Sequence, residues 1–72
     1  MIRLKVKEIA QAKGISQGLL GRNANVDVKT MRKIYQHPTS SITLEILDRL
    51  AKALKVDASE LIESIPDDTS TT

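Results

Sequence analysis

The residues between Ser16 and Gln36 constrain the fold most, because their apolar positions fit two short helices joined by a tight turn. Ser16 and Asp27 suit the N-caps of these helices. Asn25 tolerates the left-handed backbone conformation that a tight turn requires. Helices joined by so few residues cross steeply, so apolar residues must lie between them, with a small residue at the closest approach. The positions predicted to face inward are Leu19, Leu20, Gly21, Ala24, Val26, Met31 and Ile34.

A further helix is predicted before this stretch. Its apolar face repeats at i, i+4, i+7 and i+8, and it consists of Ile2, Val6, Ile9 and Ala10. Gly14 is a natural end for this helix, since glycine adopts the left-handed conformation at little cost. The first four residues also alternate between apolar and polar side chains, so they fit a short strand as well.

Two more helices are predicted after Pro38, which ends the third helix. The fourth helix has the most regular apolar stripe in the chain, which comprises Leu44, Leu47, Leu50, Ala51 and Leu54. Its N-cap is Thr43 or Ser41. A capping arrangement at residues 57–60 predicts a short fifth helix with Leu61 and Ile62 facing inward. We therefore expect an all-α fold, a compact five-helix domain over residues 1–65, followed by a flexible polar tail over residues 66–72.

The charge is divided unevenly along the chain. Residues 1–36 carry eight cations against two carboxylates, a net charge of +6, whereas residues 37–72 carry three cations against seven carboxylates, a net charge of −4. A basic half favours binding to a polyanion such as nucleic acid. The alternative is a chance asymmetry of the kind that many small helical domains show.

The composition argues against several classes of function. The chain has 72 residues and no cysteine, which indicates one small domain without disulfides or thiolate metal sites. No apolar run approaches the roughly 18 residues of a membrane helix, and no secretory signal is apparent, so we expect a cytoplasmic protein that does not bind membranes. His37, the only histidine, is expected in a loop, and Tyr35, the only aromatic residue, at the core edge with its hydroxyl at the surface. We expect no metal, no cofactor and no enzyme activity, because no residue spacing favours catalysis.

The sequence resembles the lambda-repressor-like, Xre/Cro-type helix-turn-helix domains of bacterial and phage regulators. The resemblance spans about residues 4–65. Its matching stretches are Gly14-Ile15-Ser16-Gln17, Ala24-Asn25-Val26-Asp27, Thr30-Met31-Arg32-Lys33-Ile34, and the run from Leu44 to Leu54 with Val56 and Leu61-Ile62. The sequence departs from the family at Gly21, where alanine is usual, and at Asn25, where glycine is usual. Both residues meet the physical needs of their positions.

The resemblance implies that the third helix enters the major groove of double-stranded DNA. The residues then expected to contact base edges are Val28, Lys29, Arg32 and Lys33. Arg32 can donate two hydrogen bonds to guanine O6 and N7, and Val28 can pack on a thymine methyl group. The alternative for the cationic residues is an ordinary solvated helix face.

Contacts to DNA phosphates are expected at two places. In this family, the glutamine equivalent to Gln17 binds a backbone phosphate, and the free N–H groups beside Ser16 suit an anion. In the loop after the third helix, the hydroxyls of Thr39 and Ser40 can donate to phosphates. The alternative at each place is plain exposure to solvent.

These features predict a sequence-specific regulator of transcription, in the first instance a repressor that occupies an operator. Strong specificity usually needs two copies on a palindrome. We therefore expect a homodimer, formed through Leu61, Ile62 and Ile65 in the C-terminal helix or through pairing of the N-terminal residues as strands. The alternative is a protein-interaction module of the same fold, such as an antitoxin or an adaptor, which binds a protein partner and for which DNA binding is secondary.

Overall fold

The structure is a computed structural model of the chain, and it describes residues 1–66. Its elements in chain order are β1 (Ile2–Leu4), α1 (Val6–Ala12), α2 (Gln17–Ala24), α3 (Val28–Gln36), α4 (Leu44–Leu54), a 3₁₀ helix (Ala58–Leu61) and β2 (Ile62–Ser64). The two strands pair antiparallel, with Arg3 opposite Glu63. The described residues thus form a mostly helical domain in which a short sheet joins the two ends.

The expectation of an all-α fold with five α-helices is wrong at both ends of the chain. Residues Ile2–Leu4 form a strand, which the alternation of apolar and polar residues had left open. The predicted fifth helix is a single 3₁₀ turn that ends at Leu61, and Ile62 is extended with φ −131° and ψ 153°. The chain leaves the helical conformation there because its backbone pairs with β1. Leu4 lies opposite Ile62 in this pairing, and next to it the Lys5 N–H donates to the Leu61 carbonyl over 2.7 Å.

A single apolar core connects these elements. Its buried residues are Leu4, Val6, Ala10, Leu20, Ala24, Val26, Met31, Ile34, Leu47, Leu50, Ala51, Leu54 and Leu61. The inward positions predicted between α2 and α3 are all buried, apart from Leu19, which is 43% exposed. Leu19 was wrongly assigned because the buried face of α2 is narrow and centres on Leu20 and Ala24.

The turn between α2 and α3 has the predicted geometry. Asn25 adopts the left-handed conformation with φ 58° and ψ 45°, and the Val26 N–H closes the turn on the Gly21 carbonyl over 2.8 Å. A Cβ atom at Gly21 would lie 2.9 Å from Cγ of Met31 and 3.1 Å from the carbonyl oxygen of Val26. A small residue is therefore needed at Gly21, because α3 and the turn pack directly against it.

The interior position of Leu61 corrects the predicted dimer surface. Leu61 is fully buried in the core of its own chain, so it is not available to a second copy. Ile62 and Ile65 are only partly buried. Residues 67–72, most of the predicted flexible polar tail at residues 66–72, lie outside the described residues.

The end of α4 contains a residue whose conformation the sequence did not predict. Lys55 follows the last helical residue in the left-handed conformation, with φ 58° and ψ 43°. A side chain with a Cβ atom is strained there, whereas glycine is not.

We expect Lys55→Gly to raise the free energy of unfolding by about 0.5–1 kcal/mol, as measured by urea denaturation. The matched variant Lys52→Gly, inside α4, should lower it by about 1 kcal/mol. A loss of stability in Lys55→Gly would contradict this assignment of strain.

Tyr35 lies where the core meets α1, but its hydroxyl is not at the surface as the sequence suggested. The hydroxyl oxygen is buried and has no hydrogen-bond partner among the described residues. Burial raises the pKa of this hydroxyl above its ordinary value. Tyr35 lines a surface cavity of about 310 Å³ together with Gln11 and Pro38.

Removal of this hydroxyl is expected to stabilise the domain. A buried hydroxyl without a partner costs about 1–3 kcal/mol, so Tyr35→Phe should raise the free energy of unfolding by about 1 kcal/mol. Urea denaturation of the two proteins measures the difference. Tyr35→Leu, which also removes the packing of the ring, should instead lower the stability. If Tyr35→Phe were destabilising, the Tyr35 hydroxyl would have to make a hydrogen bond that the structure does not show.

Candidate nucleic-acid interface

Helix α3 presents one buried face and one cationic face. Met31 and Ile34 point into the core, whereas the four side chains on the opposite face are exposed. These are Lys29, Arg32, Lys33 and Gln36. They fall at i, i+3, i+4 and i+7, so they share one side of the helix. Val28, the first residue of α3, lies beside this face and is 67% exposed. The structure therefore brings together the four residues predicted to contact bases.

The cations of α3 are not neutralised within the described part of the chain. There, Arg3 pairs with Glu8 and with Glu63, and the ion pairs of α4 join Arg49 to Glu45 and Lys52 to Asp48. None of the ion pairs in residues 1–66 involves Lys29, Arg32 or Lys33. Lys29, Arg32 and Lys33 therefore remain available to an anion, whereas Arg3 is already paired with two carboxylates.

Asp27 fixes the start of α3. Its carboxylate accepts hydrogen bonds from the Thr30 hydroxyl over 2.5 Å and from the Thr30 N–H over 3.3 Å. The hydrogen bond from the Thr30 side chain lowers the pKa of the Asp27 carboxyl below its ordinary value. The carboxylate consequently stays ionised at neutral pH and caps the helix, as predicted.

Helix α2 begins at an exposed end with free donors. The Ser16 hydroxyl accepts a hydrogen bond from the Leu19 N–H over 3.2 Å, which confirms Ser16 as the N-cap. The Leu20 N–H donates to the Ser16 carbonyl over 2.9 Å. The N–H groups of Gln17 and Gly18 have no partner in residues 1–66, so they point outward from the helix start. Such groups suit an anionic oxygen.

A surface cavity joins the two helix starts. It has a volume of about 320 Å³ and lies between Gln17 on α2 and Val28 on α3. The structure thus brings a residue predicted to contact phosphate next to a residue predicted to contact bases. Arg22, one of the eight cations of residues 1–36, also lines this cavity, and it is not among the residues predicted to contact DNA. Arg22 could have been predicted at this cavity from the sequence, because it follows Gly18 by four residues and therefore lies on the same side of α2.

The two predicted phosphate contacts after α3 are less closely tied to this surface. Thr39 is exposed and Ser40 is half-buried. The Ser40 N–H donates to the His37 carbonyl over 2.9 Å, which orders the loop directly after α3. In the described part of the chain, no side-chain hydrogen bond or ion pair joins Thr39 or Ser40 to Gln17 or to the cationic face. His37 itself is exposed and caps the end of α3, as expected of a loop residue before Pro38.

Residues 1–66 contain no group of three or more histidine or acidic side chains arranged to hold a metal ion. Among the same residues, no helix has the length and apolar character needed to cross a membrane.

Comparison with known proteins agrees with this geometry. Residues 5–67 match the Cro/C1-type HTH DNA-binding domain. No curated protein matches the chain closely enough to be informative. The family match contains both helix starts, the intervening turn and the cationic face, and therefore covers every residue assigned to the interface. The chain belongs to the family of Cro/C1-type helix-turn-helix DNA-binding domains and is a DNA-binding regulator.

Proposed function

We propose that this regulator is a sequence-specific repressor that occupies an operator in double-stranded DNA. Residues 1–65 act as one DNA-binding domain, with α3 in the major groove. The observation that carries the proposal is the cationic face of α3, whose side chains are exposed and free of acidic partners in the described chain. Bound at an operator, the domain excludes polymerase by occupying its site.

The bases are read by the side chains at the start and along the exposed face of α3. Arg32 donates two hydrogen bonds to guanine O6 and N7, a pattern that matches its planar guanidinium group. Lys29 and Lys33 reach the same groove as single charges and bind base or phosphate oxygens. Val28 packs against an apolar group on a base edge, because its side chain is exposed beside the cations.

The sugar-phosphate backbone is held at the start of α2 and in the loop after α3. Gln17 and the free N–H groups beside it bind one phosphate. The Ser16 hydroxyl caps α2 with its oxygen, so its hydrogen is still available to a phosphate. Thr39 and Ser40 donate their hydroxyls to a second phosphate. These contacts set the orientation of α3 rather than the sequence preference.

Two copies act together on one operator. A single domain of this kind buries a small interface, and a second copy supplies the affinity that strong specificity requires. One set of exposed apolar side chains suited to self-association lies at the joined ends of the chain, where Met1 is 60% and Ile2 is 51% exposed. Ile62 and Ile65 extend the same region. Self-association through these residues leaves α3 free for DNA.

A selection of bound duplexes from a random DNA pool, at about physiological salt, tests the proposal. The expected result is an enriched inverted repeat whose half-sites contain guanine. Affinity for it should fall with salt, with a slope of log affinity against log salt of about −0.9 for each phosphate neutralised. Salt-sensitive binding without any enriched sequence would contradict the proposal. That outcome would favour a protein-interaction module, such as an antitoxin or an adaptor, as the function.

A further inference from the structure

The turn between α2 and α3 is held by a side chain of α4. Nη1 of Arg49 donates to the carbonyl oxygen of Asn25 over 3.4 Å. Nη2 of the same guanidinium group donates to Oε2 of Glu45 over 3.1 Å. Because Glu45 lies one helix turn before Arg49 on α4, this ion pair fixes the direction of the guanidinium group. Arg49 thus connects α4 to the residue at which the chain turns from α2 toward α3.

The Asn25 carbonyl is the group of this turn that needs a partner from elsewhere. The Asn25 N–H donates to the Arg22 carbonyl over 3.2 Å. The Val26 N–H donates to the Gly21 carbonyl over 2.8 Å. These two bonds are local and use the donors of the turn. Among residues 1–66, the Asn25 carbonyl accepts a hydrogen bond from Arg49 alone.

The turn determines how α3 is oriented relative to α4. Helix α4 packs mainly against α2 and the 3₁₀ helix, whereas α3 packs mainly against α1 and α2. Beside the end of α2, a surface cavity of about 260 Å³ separates Asn23 from Ala53 on α4, so side-chain packing is incomplete there. Val26 anchors the turn in the core, and Arg49 supplies a second attachment. One attachment lets the turn pivot, whereas two fix its direction.

We propose that Arg49 is a positioning residue for DNA binding, which acts on the orientation of α3 through the Asn25 carbonyl. Arg49 itself does not touch the DNA. Without this hydrogen bond, only a fraction of the molecules presents Arg32 and its neighbours at the angle that the major groove accepts. The apparent affinity for the operator then falls by that fraction. This inference rests on the proposed function, and it adds a residue of α4 to the residues that determine operator affinity.

Arg49→Met and Lys52→Met form a matched pair for the test. Each variant removes one positive charge from α4 and breaks one ion pair with the acidic residue one turn earlier, Glu45 or Asp48. Methionine keeps an unbranched apolar stem and is a good helix former. Exposed ion pairs contribute little to stability, so the urea midpoints of both variants should stay close to that of the parent protein. Only Arg49→Met also removes the hydrogen bond to the turn.

Two readouts separate positioning from the loss of charge. Operator affinity should be about three- to tenfold lower for Arg49→Met than for Lys52→Met, the range expected for the loss of one hydrogen bond. Affinity for a duplex of unrelated sequence should be equal in the two variants, because it depends on charge. In the free protein, hydrogen exchange of the Val26 amide should become faster by a similar factor in Arg49→Met only.

The outcomes distinguish this inference from the proposed function. Equal operator affinities of Arg49→Met and Lys52→Met, or equal exchange of the Val26 amide in both, would overturn this inference alone. Failure to select any operator would overturn the proposed function. Exchange of the Val26 amide would still show, without DNA, whether Arg49 holds the turn.

Discussion

Arg32→Ala is expected to weaken binding to the selected operator by roughly 1–3 kcal/mol, about five- to 150-fold in affinity. The variant removes the one side chain on α3 that can donate two hydrogen bonds to a guanine. Arg32 is exposed and has no acidic partner in the described chain, so its loss should not change the free energy of unfolding. Sequence preference should also relax at one guanine of each half-site. Titration of the operator, and of operators altered at each guanine, measures both effects.

Lys52→Ala is the matched control for this prediction. It also removes one positive charge from an exposed helix position, but Lys52 is on α4 and pairs with Asp48 over 3.0 Å. Its affinity for the operator should stay close to that of the parent protein. If Arg32→Ala bound every sequence as tightly as the parent protein, the exposed face of α3 would not be the base-reading surface.

Leu50→Ala is expected to have the largest effect on stability. Leu50 is fully buried on α4, and truncation of a buried leucine to alanine costs about 2–5 kcal/mol. A domain of this size has a total stability of about 5 kcal/mol, so a substantial fraction of the variant should be unfolded at 25 °C. Far-ultraviolet circular dichroism during urea denaturation measures the change.

Leu44→Ala makes the same chemical change on the same helix. Because Leu44 is 81% exposed, its truncation should change the free energy of unfolding by no more than about 0.5 kcal/mol. Equal losses of stability in the two variants would show that the packing of α4 differs from the structure described above.

The parts of the fold that could be predicted from the sequence depend on local chemistry. The Asp27 cap, the left-handed turn at Asn25 and the small residue at Gly21 each follow from the residue type and its neighbours within one helix turn. Each of these was confirmed. The cap of α4, which the sequence left open, is Thr43, whose hydroxyl accepts from the Ile46 N–H over 3.1 Å.

The parts that the sequence did not predict depend on contacts between distant residues. The local pattern after Asp57 fits a helix, and its capping box is present. The chain nevertheless becomes extended at Ile62, because Leu4, almost sixty residues earlier, lies opposite it in the sheet. The burial of the Tyr35 hydroxyl likewise depends on how α1 packs against α3, which the spacing within either helix does not show.

The candidate site also has one part that could be predicted from the sequence and one part that could not. The exposed face of α3 could be predicted, since helical periodicity alone separates Arg32 from Met31. The cavity between Gln17 and Val28 could not, because it depends on the distance at which Gly21 lets α3 approach α2. The roles of Thr39 and Ser40 remain predictions from their position in the loop.

The central claim is that DNA binds across the starts of α2 and α3 and along the exposed face of α3. Amide chemical shifts of the ¹⁵N-labelled protein, recorded as the selected duplex is added, test it most directly. We expect the largest changes at residues 16–18 and 28–33, with smaller changes at Thr39 and Ser40. The largest changes on α4 or on the 3₁₀ helix, with residues 28–33 unaffected, would contradict it.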